Sequence, residues 1–232
     1  MIEAGMIEAG MIEAVFFDVD DTLVDYDRAA RAAFHDVFGA DADFAVWLAA
    51  SDPHFARYGR GEVGFQQMRE ERTADFLASA GRVVDRATSD EIEARRFALV
   101  GRSYQLFDDV LPCLQVLRDR RVRLGLITNN EPVHQRGKLA QVGLSDGFDV
   151  VVISGEVGLA KPDPAIFEYA CSALGVAPHQ ALHVGDRLDL DALAAAAAGL
   201  TGVWLDRRGV HDGSPLDVPV ISGLGDVGTL LG

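Results

Sequence analysis

Cysteine and long apolar runs are both scarce in this chain. It has two cysteines among 232 residues, which excludes a fold held together by disulfides and is typical of a reducing compartment. No apolar run approaches the roughly 18 residues that a membrane-spanning helix needs. The first residues also lack the basic start and apolar stretch of a signal peptide. We therefore expect a cytoplasmic protein with two buried thiols, Cys113 and Cys171.

Basic residues are also few. Lysine and arginine number 21 against 36 acidic residues, which leaves a formal net charge of −15 at pH 7. A surface of that sign repels nucleic-acid backbones and anionic lipids, so we expect neither as a partner. Hydrophobic residues, in contrast, make up 49% of the chain. That content supports a substantial core, in one large domain or in one domain with a second inserted into it.

The amino-terminal sequence repeats itself. Met1–Gly5 and Met6–Gly10 are identical, and Met11–Ala14 begins a third copy. Two full copies are too few for a repeat architecture. We therefore expect residues 1–10 to be a leader, and the fold to begin near Met11.

Two patterns divide the remaining chain. Residues 27–106 place apolar side chains at helical spacing and contain no convincing strand, which predicts an inserted α-helical cap. Residues 11–26 and 107–232 alternate β-branched apolar runs with helices, which indicates βαβ units. The predicted fold is α/β, a Rossmann-like parallel sheet core with the helical cap inserted after the first strand. The predicted strands are Val15–Asp20, Val122–Ile127, Asp149–Ile153, Ala181–Val184, Gly202–Leu205 and Val218–Ile221. The predicted helices include Ser89–Tyr104 in the insertion, and Pro164–Leu174 and Asp189–Ala198 in the core. The alanine run at the end of the last helix is expected to let it approach the sheet closely.

Four polar segments lie at the ends of these strands or shortly after them. They are Asp18–Thr22, Thr128-Asn129, Lys161-Pro162 and Gly185–Asp191. The carboxyl ends of parallel strands meet at one edge of a sheet, where open α/β proteins bind their ligands. Carboxylates crowded together repel one another unless a cation lies among them, so the sequence predicts a Mg²⁺ site at this edge.

The residue types in these segments suit phosphoryl transfer. An aspartate such as Asp18 is a competent nucleophile toward phosphorus. Asp20 lies two residues on, so in an extended chain its side chain points to the same side. It is placed to protonate the leaving oxygen and later to deprotonate water. Thr128, with neighbouring backbone N–H groups, and the Lys161 ammonium are candidate ligands of the phosphoryl oxygens.

The other acidic and hydroxyl residues have supporting roles in this interpretation. Asp186 completes the oxygen ligands of the metal together with Asp18 and the Asp20 carbonyl. Asp191 holds Lys161 or a metal-bound water. Thr22 is expected to close the turn of the first segment by hydrogen-bonding backbone.

The four segments, DVDDT, ITNN, GLAKPDP and GDRLDLD, resemble the four motifs of the haloacid dehalogenase (HAD) superfamily. The resemblance covers about Val15–Asp206 and implies the HAD fold, with a helical cap between the first two motifs. The stretch VVISGEVGLAKP is most similar to the branch that contains nucleotide and N-acylneuraminate phosphatases. The site residues that the resemblance implies are Asp18 and Asp20 for catalysis, Thr128, Asn129 and Lys161 for phosphate, and Asp18, Asp20 and Asp186 for Mg²⁺.

The resemblance implies a Mg²⁺-dependent phosphatase, a monomer or homodimer, acting on a small phosphorylated metabolite. One alternative is a phosphomutase of the β-phosphoglucomutase type, which passes the phosphoryl group to a sugar hydroxyl. Another is a 2-haloacid dehalogenase, but members with that activity lack the second aspartate that is present here as Asp20. A phospho-receiver domain is much shorter and lacks the helical insertion. An inactive relative is disfavoured because no motif position is missing.

Two residues depart from the family pattern. Arg187 stands where family members often have a small hydroxyl residue, and its side chain either contacts an anion or points outward. Leu190 stands where asparagine is common, which bears on the surroundings of Asp191 and hence on the metal site. A break in the helical pattern at Arg60–Gly64, next to Arg57-Tyr58, is a candidate for contact with the substrate.

Overall fold

The chain divides into two compact units. The computed structural model describes residues 12–231, so the predicted leader at residues 1–10 lies outside the described residues. One unit, here the α/β unit, comprises the described residues up to Asp25 together with those from Leu106 onward. The other, the helical unit, comprises Tyr26–Gln105.

The helical unit is built from α1 (Tyr26–Phe38), α2 (Phe44–Gly59), α3 (Phe65–Ser79) and α4 (Arg86–Arg102). Its apolar core is aromatic, with the ring of Phe34 lying 5.2 to 5.7 Å from the rings of Phe44, Trp47 and Phe76. The loop between α2 and α3 coincides with the predicted break. The helix α4 begins at Arg86 rather than at the predicted Ser89, because the Asp85 carboxylate caps it by accepting the Thr88 N–H at 2.8 Å.

A cluster of charged side chains is also buried in the helical unit. The Glu93 carboxylate accepts two hydrogen bonds of 2.8 Å from Arg96, one of 3.2 Å from Arg72 and one of 2.7 Å from Thr73. All four side chains are buried. Such a cluster is stable only while each charge keeps its partners.

The α/β unit contains a parallel sheet of six strands, which confirms the predicted fold class. Its strands are β1 (Ala14–Phe17), β2 (Arg123–Thr128), β3 (Val150–Ile153), β4 (Ala181–Gly185), β5 (Thr201–Leu205) and β6 (Val220–Ile221). The spatial order is β3-β2-β1-β4-β5-β6, and every pairing is parallel.

The central strand β1 is buried along its whole length, as its uninterrupted apolar sequence AVFF requires between two neighbouring strands. From β1 the chain moves outward through β2 to β3, and then returns to the opposite side of β1 to form β4. The strand order therefore reverses between β1 and β4. Open α/β sheets bind ligands at the carboxyl ends of the strands that flank such a reversal.

The helices of the α/β unit are α5 (Val110–Asp119), α6 (Pro132–Gln141), α7 (Ser154–Val157), α8 (Pro164–Leu174) and α9 (Leu193–Ala197). The helix α8 has the predicted bounds because local signals fix both ends. The Asp163 carboxylate accepts the Ala165 N–H at 3.0 Å, proline occupies the first position, and Gly175 ends the helix with φ of 66°.

Two elements differ from their predictions. The first strand ends at Phe17 rather than Asp20, because the chain turns there: the N–H groups of Leu23 and Val24 both donate to the Val19 carbonyl at 2.9 Å. The predicted helix at Asp189–Ala198 begins as a π-helical turn, Leu188–Ala192, before α9. The backbone here lies so close to β5 that a Cβ on Gly202 would be 1.9 Å from the Ala192 oxygen. The predicted close approach of this segment to the sheet is thus observed.

Both cysteines are buried and unpaired, as predicted. Within residues 12–231, every helix falls short of the length and apolarity that crossing a bilayer requires.

Candidate active site

Polar side chains lie at the carboxyl ends of three strands of the sheet. Asp18 directly follows β1, Thr128 is the last residue of β2, and Asp186 directly follows β4. The Asp18 N–H donates to the Val184 carbonyl at 2.9 Å, so Asp18 extends the pairing of β1 with β4. Lys161 reaches the same edge from the loop between α7 and α8.

The Lys161 ammonium joins two of the predicted carboxylates. Its Nζ donates to Asp18 Oδ1 at 2.6 Å and to Asp191 Oδ1 at 2.5 Å, and the residue is 6% exposed. Burial would lower the pKa of Lys161, but the charges of Asp18 and Asp191 outweigh burial and raise it. Lys161 is therefore a fixed positive charge against the candidate nucleophile.

Asp191 uses both carboxylate oxygens within the protein. Besides Lys161, its Oδ1 lies 3.1 Å from Nε2 of His183, and its Oδ2 accepts the Arg187 N–H at 3.0 Å. Burial would raise the pKa of Asp191, but Lys161 and His183 outweigh burial and hold the pKa well below its usual range. Asp191 therefore stays ionised and holds Lys161.

The three carboxylates of Asp18, Asp186 and Asp191 form a tight cluster. Each offers an oxygen within 4.8 Å of the others. Burial raises the pKa of Asp18 to about 7, with Lys161 opposing the shift and Asp191 adding to it. Burial also raises the pKa of Asp186 to about 8, and the charges of Asp18 and Asp191 contribute. When all three carboxylates are ionised, Lys161 balances only one of the three negative charges. The cluster then has the donor atoms and excess charge that suit a hard divalent cation.

Thr22 and Trp204 fix the loop that carries Asp186. The Thr22 hydroxyl accepts the Asp186 N–H at 3.1 Å, and the Trp204 indole N–H donates to the Asp186 carbonyl at 2.9 Å. The Thr22 hydroxyl thus bonds backbone, as expected, but across the site rather than within its own turn.

The Asn129 side chain is hydrogen-bonded to the backbone of Lys161. Its Nδ2 donates to the Lys161 carbonyl and its Oδ1 accepts the Lys161 N–H, both at 2.8 Å. The side chain therefore ties the loop of Lys161 to the end of β2. The predicted contact of Asn129 with a phosphoryl group stays a prediction.

Asp20 is held by residues that the sequence did not single out. Its Oδ1 accepts from the Lys138 ammonium, and its Oδ2 accepts from Asn130 Nδ2 at 3.2 Å. Asn130 Nδ2 also donates to Gln135 Oε1 at 2.9 Å, and Gln135 Nε2 donates to the Thr128 hydroxyl at 2.9 Å. One signal was present in the sequence: Lys138 lies beside Leu139 on the buried stripe of α6, where a lysine needs a partner.

The other candidates for specificity are bound to nearby acids. The Arg187 side chain is 58% exposed and lies 3.4 Å from Asp189. In the helical unit, Arg57 pairs with Glu71 at 2.6 Å and Arg60 with Glu62 at 2.5 Å. Contact of Arg57 and Arg60 with a substrate stays a prediction.

Comparison with known proteins gives related phosphatases. Residues 12–199 match the family model of haloacid dehalogenase-like hydrolases. The phosphoserine phosphatase of Thermus thermophilus is 37% identical over 172 residues, which cover 74% of this chain and 67% of that one. The human N-acylneuraminate-9-phosphatase is 30% identical over 210 residues, covering 85% and 84% of the two chains.

The fold is found in solved structures as well. The HAD-hydrolase YfnB from Bacillus subtilis superposes with a TM-score of 0.79 at 22% identity, over 95% of this chain and 99% of that one. The four motifs, the parallel sheet and the match over residues 12–199 lead to one assignment: the chain belongs to the haloacid dehalogenase-like hydrolases.

Proposed function

We propose that this protein is a Mg²⁺-dependent phosphatase that hydrolyses a small phosphomonoester through an aspartyl-phosphate intermediate. The observation that carries the proposal is the Lys161 ammonium, 2.6 Å from Asp18 and 2.5 Å from Asp191, beside the Asp186 carboxylate. Phosphoryl transfer needs a positioned nucleophile and neutralised charge, and this cluster supplies both. The phosphatase names of the relatives support the same reaction class.

In the first half-reaction, a carboxylate oxygen of Asp18 attacks the phosphorus atom. The bond between phosphorus and the ester oxygen breaks, and its electron pair leaves with that oxygen, which takes a proton from the Asp20 carboxyl group. The products are an alcohol and a phosphoryl group on Asp18. Lys161 and Thr128, with backbone N–H groups near Asn129, bind the phosphoryl oxygens.

In the second half-reaction, the Asp20 carboxylate takes a proton from a water molecule as its oxygen attacks the phosphorus atom. The bond between phosphorus and the Asp18 oxygen breaks, and its electron pair restores the Asp18 carboxylate. Inorganic phosphate leaves, and Asp20 is again protonated for the next cycle. The same side chain acts first as acid and then as base.

The metal site of this proposal consists of Asp18, Asp186 and the backbone carbonyl of Asp20. The three clustered carboxylate oxygens within 4.8 Å and the raised pKa values of Asp18 and Asp186 support it. Asp191 is left to hold Lys161, because both of its oxygens already accept hydrogen bonds. When bound, Mg²⁺ neutralises charge on the phosphoryl group.

We propose that the helical unit is a cap that selects the substrate, and that the protein is cytoplasmic. The two buried, unpaired thiols support a reducing compartment. Deleting residues 27–106 is expected to preserve hydrolysis of an activated aryl phosphate and to abolish discrimination among metabolites. Unchanged discrimination would rule out a cap with this role.

The deciding experiment measures liberated phosphate with and without Mg²⁺ across a panel of phosphomonoesters. The panel includes phosphoserine and N-acylneuraminate 9-phosphate, on which the named relatives act, with nucleoside monophosphates and sugar phosphates. Free phosphate distinguishes a phosphatase from a phosphomutase, which would instead form an isomeric sugar phosphate. Activity on a 2-haloacid in the presence of a chelator would favour a dehalogenase.

The nucleophile is tested with Asp18→Asn. Losing it is expected to reduce turnover by more than about 100-fold with the fold intact, and to remove the phosphoryl group that mass spectrometry detects on Asp18 after an acid quench. Asp163→Asn is the matched control, because asparagine caps α8 as aspartate does. Turnover in Asp18→Asn close to that of the control would exclude attack by this side chain.

A further inference from the structure

Lys138 is a buried cation that the proposed reaction has not yet used. It lies on α6, is 1% exposed, and donates its ammonium to Oδ1 of Asp20, 118 residues away in the sequence. Burying an ammonium group is costly unless it is paired and hydrogen-bonded. The protein therefore commits a buried charge to the one carboxyl group that the mechanism needs for proton transfer.

A second donor holds the other oxygen of the same carboxyl group. Asn130 Nδ2 donates to Asp20 Oδ2 at 3.2 Å and to Gln135 Oε1 at 2.9 Å, and Gln135 in turn donates to the Thr128 hydroxyl at 2.9 Å. Gln135 is buried. The network therefore connects Asp20 with Thr128 at the end of β2, through Asn130 in the loop before α6 and Gln135 on α6.

We propose that Lys138 and Asn130 are positioning residues that fix the carboxyl group of Asp20 for proton transfer. Donors on both oxygens define the plane of the carboxyl group and restrict its rotation about the Cβ–Cγ bond. A proton donor that is fixed in this way already has the orientation that proton transfer to the ester oxygen needs. The entropy of orienting it is therefore not lost in the transition state. The inference rests on the proposed function, because it assigns a reason for the geometry of the proposed acid and base.

The dependence of the rate on the leaving group separates a positioning role of Lys138 from a merely structural one. A structural role would affect esters with good and poor leaving groups alike. Phenyl phosphate and p-nitrophenyl phosphate are similar in size, but phenolate is much the poorer leaving group and depends more on protonation. The value of kcat/KM reports the steps up to ester cleavage. The ratio of kcat/KM for the two esters therefore measures how much general-acid catalysis by Asp20 contributes to ester cleavage.

The experiment compares Lys138→Met with Arg136→Met in the full-length chain with Mg²⁺. Arg136 is a matched control because it lies on the same helix but pairs with Glu156, at 2.5 Å, rather than with Asp20. We expect Lys138→Met to lower kcat/KM for phenyl phosphate by about 10- to 100-fold, with a clearly smaller loss for p-nitrophenyl phosphate. Arg136→Met should leave the ratio at its wild-type value.

A double variant and a second contact complete the test. In an Asp20→Asn background, adding Lys138→Met should cause no further change in the ratio, because both changes act through one group. If circular dichroism shows that Lys138→Met is unfolded, Asn130→Ala decides instead. It removes the contact on Oδ2 of Asp20, together with the bonds of Asn130 to Gln135 and to the Glu131 N–H. It leaves the Lys138 contact on Oδ1 in place and should shift the ratio in the same direction.

Three outcomes overturn the inference and are distinguishable from one another. A folded Lys138→Met with a wild-type ratio, when Asp20→Asn shifts that ratio, overturns the positioning role and leaves the proposed function intact. The positioning role is likewise overturned if Lys138→Met is unfolded and Asn130→Ala keeps the wild-type ratio. An unchanged ratio in Asp20→Asn overturns both the acid role of Asp20 and this inference.

Discussion

Replacing Gly185 with alanine tests how tightly the site is built around Asp191. Gly185 is the last residue of β4, and a Cβ built on it would lie 2.2 Å from Cγ and 2.3 Å from Oδ2 of Asp191. Ordinary van der Waals contact begins at 3.4 Å, so the carboxylate would have to retreat by about 1 Å in a closely packed interior. Asp191 is 1% exposed, so its partners must move with it.

Displacement of the Asp191 carboxylate is expected to affect both the rate of turnover and the stability of the fold. It disturbs the 2.5 Å contact of Asp191 with Lys161, and misplacing a group near the reaction by about 1 Å costs about 100-fold in rate. Overpacking costs roughly 1–3 kcal/mol of unfolding free energy. For a chain of this length, that loss lowers Tm by roughly 2–12 °C.

The assay measures phosphate release and thermal unfolding for Gly185→Ala and for the control Gly137→Ala. Gly137 lies within α6, and no atom lies within 4 Å of a Cβ built there. Alanine at Gly137 should add up to about 1 kcal/mol of helix stability and leave turnover unchanged. Wild-type turnover and Tm in Gly185→Ala would refute the reasoning. They would mean that the Asp191 carboxylate can accommodate the added methyl group without losing its contact with Lys161.

Three further predictions concern the metal, the effect of pH and the helical unit. Chelation with EDTA should abolish phosphate release and added Mg²⁺ should restore it; turnover that survives chelation contradicts the proposed metal site. Burial would raise the pKa of Asp109, but Arg207, 2.9 Å away, and the Leu224 N–H together outweigh burial and lower it. A pKa lowered by folding adds stability above the unfolded value and loses it as pH falls, so Tm should decline less steeply below about pH 4 in Asp109→Asn than in wild type. Glu93→Gln breaks the buried pairs with Arg72 and Arg96, which should cost about 3–5 kcal/mol of stability; an unchanged unfolding curve by circular dichroism would contradict that expectation.

Elements with strong local signals could be predicted from the sequence. The helix α8 has a capping aspartate, a proline at its first position and a glycine at its end, so its bounds follow from a few adjacent residues. The strands β2 and β4 are apolar runs, and both were located to within a residue or two. The end of β1 was misplaced, because the turn after Phe17 depends on hydrogen bonds to the Val19 carbonyl that no periodicity reveals.

The motif residues of the site could be named from the sequence, but the partners of their side chains could not. The sequence placed Asp18, Lys161 and Asp191 near one another, and the structure brings them together through one ammonium. Asn129 was named for phosphate, and nothing in the sequence indicated that its amide also binds the backbone of Lys161. That partner lies on a loop 32 residues away, beyond the reach of local pattern.

The sequence by itself determined the alternation of strands and helices, the helical insertion and the set of acids at the strand ends. These features depend on burial periodicity and on residues that are near neighbours in the chain. Only the tertiary structure decided that β1 lies between β2 and β4, and that Lys138 reaches Asp20. The physical reason is that such contacts depend on the order and register of strands in space. A side chain's partner is chosen by the geometry of the packed sheet, and the same residues in a different strand order would meet different neighbours.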